Sequence, residues 1–109
     1  MFPSSADVIL EGIATTTPHP SRVGLAGVVD RAAARRAEER VARALERARA
    51  VTIDLAGVDE VNGALLGLLL RASRRAAQRG GRLYVVGADG EVRRGLETAG
   101  IDDLATVVG

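Results

Sequence analysis

From Arg22 onward, short runs rich in β-branched residues alternate with longer stretches in which apolar residues recur every three or four positions. No other feature constrains the fold as strongly, because strands alternating with helices pack as a central, mostly parallel sheet with helical cover. Val23 and Leu25, with Val29, fall on one face of a strand over residues 22–29. Asp30 then stands where a helix N-cap is needed, and Ala33, Ala37, Val41, Ala44, Leu45 and Ala48 form one apolar stripe of a helix over residues 33–48. On its other side Arg35, Glu39 and Arg43 are spaced to pair as ions. Residues 51–55 predict a strand, 56–62 a loop, and 63–78 a second helix that is apolar through Leu70 and ends at Gly80-Gly81. Residues 82–86 form a near-continuous apolar run suited to a strand covered on both faces. Asp89 is placed to cap a third helix bearing Val92, Leu96 and Ala99 and closed by Gly100, and residues 104–108 predict a last strand. Upstream, residues 6–13 read as a first strand that could form a hairpin with residues 22–29, and 14–21 as a loop broken by Pro18 and Pro20. The expected order is β-β-α-β-α-β-α-β in a single α/β domain of 109 residues, with a mixed, mostly parallel sheet.

The core of such a domain has to be aliphatic, since Phe2 and Tyr84 are the only aromatic residues in a chain that is 47% hydrophobic. Small side chains bring helices close to a sheet but bury little area each, so modest stability is expected unless a partner adds to it. Without cysteine there is no disulfide, thiolate metal site or cysteine nucleophile. His19, the single histidine, sits between prolines and reads as an exposed loop residue rather than a catalytic base. Asp59-Glu60 and Asp102-Asp103 are adjacent acids that point in different directions, so solvated turns explain them better than a metal site. Gly87-Ala88-Asp89-Gly90 lies between a strand and a helix but lacks the lysine and glycine spacing of a phosphate cradle. Fifteen basic residues, all arginine, oppose fourteen acidic ones for a net charge of +1, which gives no electrostatic case for nucleic acid. The densest apolar run, Ala64 to Leu70, is far too short to span a bilayer, and the first residues lack the basic and apolar regions of a signal peptide, so the cytoplasm is the expected location. Nothing calls for a cofactor, and the weight moves from an enzyme towards a binding module.

Three segments resemble the STAS domain family, which includes bacterial anti-sigma factor antagonists and the tails of anion transporters. Leu25 to Asp30 is similar to the family's strand ending in Leu-x-Gly-x-x-Asp. Val51 to Val58 is similar to its strand and turn written Val-x-Asp-Leu-Ser-Gly-Val. Gly80 to Gly87, followed by Val92 to Ile101, resembles its later strand and third helix. Each motif alone is weak; in this order and at these spacings they are fairly specific.

The resemblance implies a domain that binds an anti-sigma factor kinase or another regulatory protein and catalyses nothing itself. In the antagonists the turn into the second helix usually reads Asp-Ser-Ser-Gly, and its second serine is phosphorylated by the kinase. Here that turn reads Asn62-Gly63-Ala64-Leu65, and the serine position falls on Ala64, whose methyl group accepts no phosphate. Thr52 and Ser73 carry the nearest hydroxyls. The implied contact surface comprises Asp30, Asp59, Glu60, Asn62, Gly63, Ala64, Leu65 and Leu66. The leucines from Leu65 to Leu70 also read as core, with Leu66 or Leu69 able to face outward. A STAS subunit of another assembly, such as a sensory scaffold or a lipid-transport complex, is the alternative; a small enzyme or nucleotide binder on a similar fold is a third.

Overall fold

The computed structural model describes residues 21–108. Along them run strand β1 (Arg22–Gly27), helix α1 (Arg31–Leu45), β2 (Ala50–Val58), α2 (Gly63–Gln78), β3 (Arg82–Val86), α3 (Gly90–Thr98), a 3-10 turn (Ile101–Asp103) and β4 (Thr106–Val107). The first strand expected at residues 6–13, its hairpin, and the loop holding His19 lie outside the described residues. The four described strands are all parallel and stand in the order β1-β2-β3-β4.

That order decides where the helices go. Right-handed crossovers that always step in the same direction leave every helix on one side of the sheet. Strand burial agrees: Val23, Val51, Ile53, Leu55, Leu83 and Val85 are at most 1% exposed, whereas their alternating neighbours Arg22, Gly24, Thr52, Asp54, Tyr84 and Val86 are exposed or half-buried. The expectation that β3 is covered on both faces is therefore corrected. Tyr84 and Val86 belong to a sheet face that carries no helix among the described residues. Among the described residues the core lies between the other face and the helices, with Ala34, Ala37, Val41, Leu65, Leu68, Leu69, Ala72, Ala76 and Leu96 closing it from above.

Element boundaries differ from the sequence pattern for local reasons. Helix α1 starts at Arg31, immediately after Asp30, whose carboxylate accepts the Ala33 amide at 2.7 Å. It ends at Leu45 rather than Ala48. The Arg35–Glu39–Arg43 ion pairs do not form among the described residues; Glu38 pairs instead with Arg71 of α2 at 2.7 Å. Strand β2 continues past Leu55 to Val58 because of a bulge. Gly24 pairs with Asp54 and Ala26 with Gly57, so β2 carries one extra residue, and Leu55 and Val58, three apart, both turn inward. Helix α2 closes as expected. Gly80, at φ +72°, lets its own amide reach the Ala77 carbonyl and the Gly81 amide reach the Ala76 carbonyl. Asp89 occupies the N-cap of α3, yet its carboxylate makes no capping bond. The last strand shrinks to Thr106–Val107, because residues 101–103 coil into the 3-10 turn.

Candidate functional site

In a parallel sheet the loops leaving the carboxyl ends of the strands gather at one end, where open α/β proteins bind their ligands. Two of these loops are tied together here. The Asp59 amide donates to the Gly27 carbonyl at 3.0 Å. Asn62 does more: its Oδ1 accepts the Leu65 amide at 2.9 Å, capping α2, while its Nδ2 donates to the Val29 carbonyl at 2.9 Å. An aspartate could make the first bond but has no N–H for the second. The start of α2 is thus fixed against the start of α1. Behind the loop, α3 approaches so closely that a Cβ on Gly95 would lie 2.9 Å from Val61 Cγ2, so any larger residue would push Val61 out of its place in this turn.

The expected contact residues divide into two groups. Asp30, Asp59, Glu60 and Gly63 are exposed, and Asn62, Ala64 and Leu66 are half-buried, all at this end of the domain. Leu65 is wholly buried and presents no surface to a partner; it supports the turn from beneath. Leu69 is likewise core, whereas Leu66 keeps part of its surface. Of the two nearest hydroxyls, Ser73 is buried and donates to the Leu70 carbonyl at 2.9 Å, and Thr52 points to the helix-free face of the sheet.

Sequence reasoning missed Val28, which is 58% exposed between the two backbone positions that bind the β2–α2 loop. Its parity opposite Val23 and Leu25 was the available signal. It also missed a groove of about 650 Å³ between α1 and α2, lined by Arg31, Ala34, Arg35, Glu38, Gly63, Ala64 and Arg71. Small residues on both helices open this groove, and arginines rim it. No signal linked its two walls, since the Glu38–Arg71 pair joins residues 33 apart.

Asp54 sits on the other face of the sheet. It accepts the Ala56 amide at 2.9 Å and the Arg22 guanidinium at 2.7 Å. The Ala56 bond first and the Arg22 bond second hold its carboxyl below the usual carboxylate range, against a small opposing effect of burial. Among the described residues no three acidic or histidine side chains come together as a metal site, and no helix is long and apolar enough to cross a membrane.

The family model described as "Mlab, STAS domain" matches residues 14–108. Among solved structures, the solution structure of protein TM1081 superposes with a TM-score of 0.70 at 14% identity, covering 91% of this chain and 88% of that one. A crystal structure of TM1081 from Thermotoga maritima, described there as a proposed anti-sigma factor antagonist, superposes with a TM-score of 0.63 at 16% identity, covering 82% and 74%. No curated protein matches the chain significantly.

Proposed function

The chain belongs to the STAS domain family, and from that premise we propose that it is a protein-binding regulatory domain of the anti-sigma factor antagonist kind whose docking turn lacks a phosphorylatable residue. The observation that carries this reading is the start of α2. A rigid, doubly bonded Asn62 presents Gly63 and a half-exposed Ala64 at the loop end of the sheet, beside exposed Val28, Asp30, Asp59 and Glu60. A helix N-terminus has free amides and a positive dipole end, so the domain itself would tolerate a phosphate here. A partner seated on the same turn would not, because phosphate adds bulk and close to two negative charges. Ala64 holds the turn in its unmodified form, and the domain stays competent to dock while a kinase has nothing to modify. It performs no chemistry of its own and acts in the cytoplasm of a bacterial cell.

The test is a pull-down of the purified chain with each anti-sigma factor kinase encoded in the same genome, with and without Mg-ATP. A complex that survives ATP, with no phosphate transferred, is expected. Ala64→Ser should then become phosphorylated and release the kinase. If no kinase binds, the reading falls. The family description, which covers nearly the whole chain, also suits a STAS subunit of a different assembly, such as a lipid-transport complex or sensory scaffold. Co-purification with transporter components and no sigma-factor regulator would favour that reading.

A further inference from the structure

We propose that the groove between α1 and α2 receives an acidic segment of the partner protein, with carboxylates one helical turn apart. This rests on reading the start of α2 as a docking surface, and it adds the chemistry of what docks. Arg31 and Arg35 lie one turn apart on the groove wall of α1, both exposed, and neither has an ion-pair partner among the described residues. Arg71 faces them from α2, its guanidinium folded over Gly67 and bonded to Glu38, the one acid that lines the groove. Asp30 stands beside Arg31, but one carboxylate oxygen is turned onto the Ala33 amide.

This arrangement runs against the usual electrostatics of helices. The first turns of α1 and α2 carry no acidic residue, although the dipole favours acids there, and α1 opens on an arginine instead. Like charges at Arg31 and Arg35 also repel at this spacing. Two positive helix ends and three arginines therefore converge on a hollow floored by Ala34, Gly63 and Ala64, with a single carboxylate in answer. Asp30 offsets the helix end of α1 through its cap, but no acid of the described chain pairs with Arg31 or Arg35. A pair of glutamates or aspartates at helical spacing on a partner would match Arg31 and Arg35 in both charge and separation. The hollow has room for a few side chains only, which favours a short segment over a globular knob.

The probe is a fluorescein-labelled, alanine-based helical peptide with a Glu-x-x-x-Glu pair, titrated by anisotropy against the full chain, beside its Gln-x-x-x-Gln counterpart. The acidic peptide should bind saturably, about tenfold or more tighter than the glutamine one, and weaken as salt rises. The double variant Arg31→Glu/Arg35→Glu should abolish this binding. It should fold, because acids at a helix start are favoured. Arg36→Glu/Arg40→Glu makes the same charge change on the flank of α1 that faces β1 and should leave binding within about twofold. Equal losses in both variants would mean diffuse charge attraction and would overturn the proposal, as would absence of binding or tighter binding of a single-stranded oligonucleotide of matched charge. A kinase or other regulator that binds wild type and Arg31→Glu/Arg35→Glu equally, yet is lost with Val28→Asp, would overturn the groove inference while leaving the docking reading intact. Absence of any bound regulator, with peptide binding retained, would overturn the docking reading and, with it, the assignment of the groove to a partner's segment.

Discussion

Asn62 joins two elements through one side chain, and its removal should show in both. Asn62→Ala loses the α2 cap and the bond to Val29, so urea unfolding should report a loss of about 1–2 kcal/mol. Asn62→Asp should keep the cap and lose only the second bond. Asp54 offers a test that pH can read. Its folded pKa is depressed, so the stability it confers is present above the ordinary aspartate value of 3.8 and is lost as pH falls through the folded value. Asp54→Asn should therefore be less stable than wild type at pH 7, the gap should begin to close only as pH falls below the ordinary aspartate value, and it should vanish below the depressed folded value. A gap that stays constant across pH would refute the assignment. Gly87, at φ +80°, leaves no room for a Cβ between Asp54 Oδ1 and the Ala56 amide. Gly87→Ala should cost about 2 kcal/mol and weaken the same acid dependence. At this scale the sequence was legible wherever the chemistry is local. Asp30 and Asn62 cap amides three residues on, and their type and position sufficed. The Glu38–Arg71 and Arg22–Asp54 pairs were not legible, because each joins residues more than thirty apart and depends on which helices and strands become neighbours.

Elements were legible where the period stayed regular. The stripe from Ala37 to Leu45 became the buried face of α1, and the glycine pair closed α2 as its spacing implied. Strand β2 extends three residues past the expected carboxyl end because a bulge breaks the two-residue alternation at Leu55, although pairing continues. The apolar half of α2 could be split between core and surface only by geometry: Leu65, Leu68 and Leu69 went inward, while Leu66 and Leu70 stayed half-buried. This difference predicts unequal mutants. Leu69→Ala should destabilise by about 2–5 kcal/mol, as a cavity in an otherwise close-packed core, while Leu66→Ala should cost clearly less and act mainly on partner affinity. Thermal melts and binding titrations of the two variants would separate these effects.

On the scale of the molecule, alternation predicted an α/β parallel sheet, but not that all the described helices would lie on one side of it. Strand order decides that, and order is a tertiary property. The same geometry provides a built-in probe. Tyr84 is the only tyrosine, there is no tryptophan, and its side chain belongs to the helix-free face. A partner that docks at the loop end and in the α1–α2 groove should leave acrylamide quenching of Tyr84 unchanged; protection of Tyr84 would show that the partner covers the sheet instead.

The sequential strand order has one more consequence, in time rather than space. Each ladder joins a strand only to the next one in the chain, roughly thirty residues on at most. Among the described residues, no strand waits for a distant piece of chain before it can pair. A nascent polypeptide leaving the ribosome could thus add each helix–strand unit to a sheet already begun, so the domain suits assembly in the order of its synthesis.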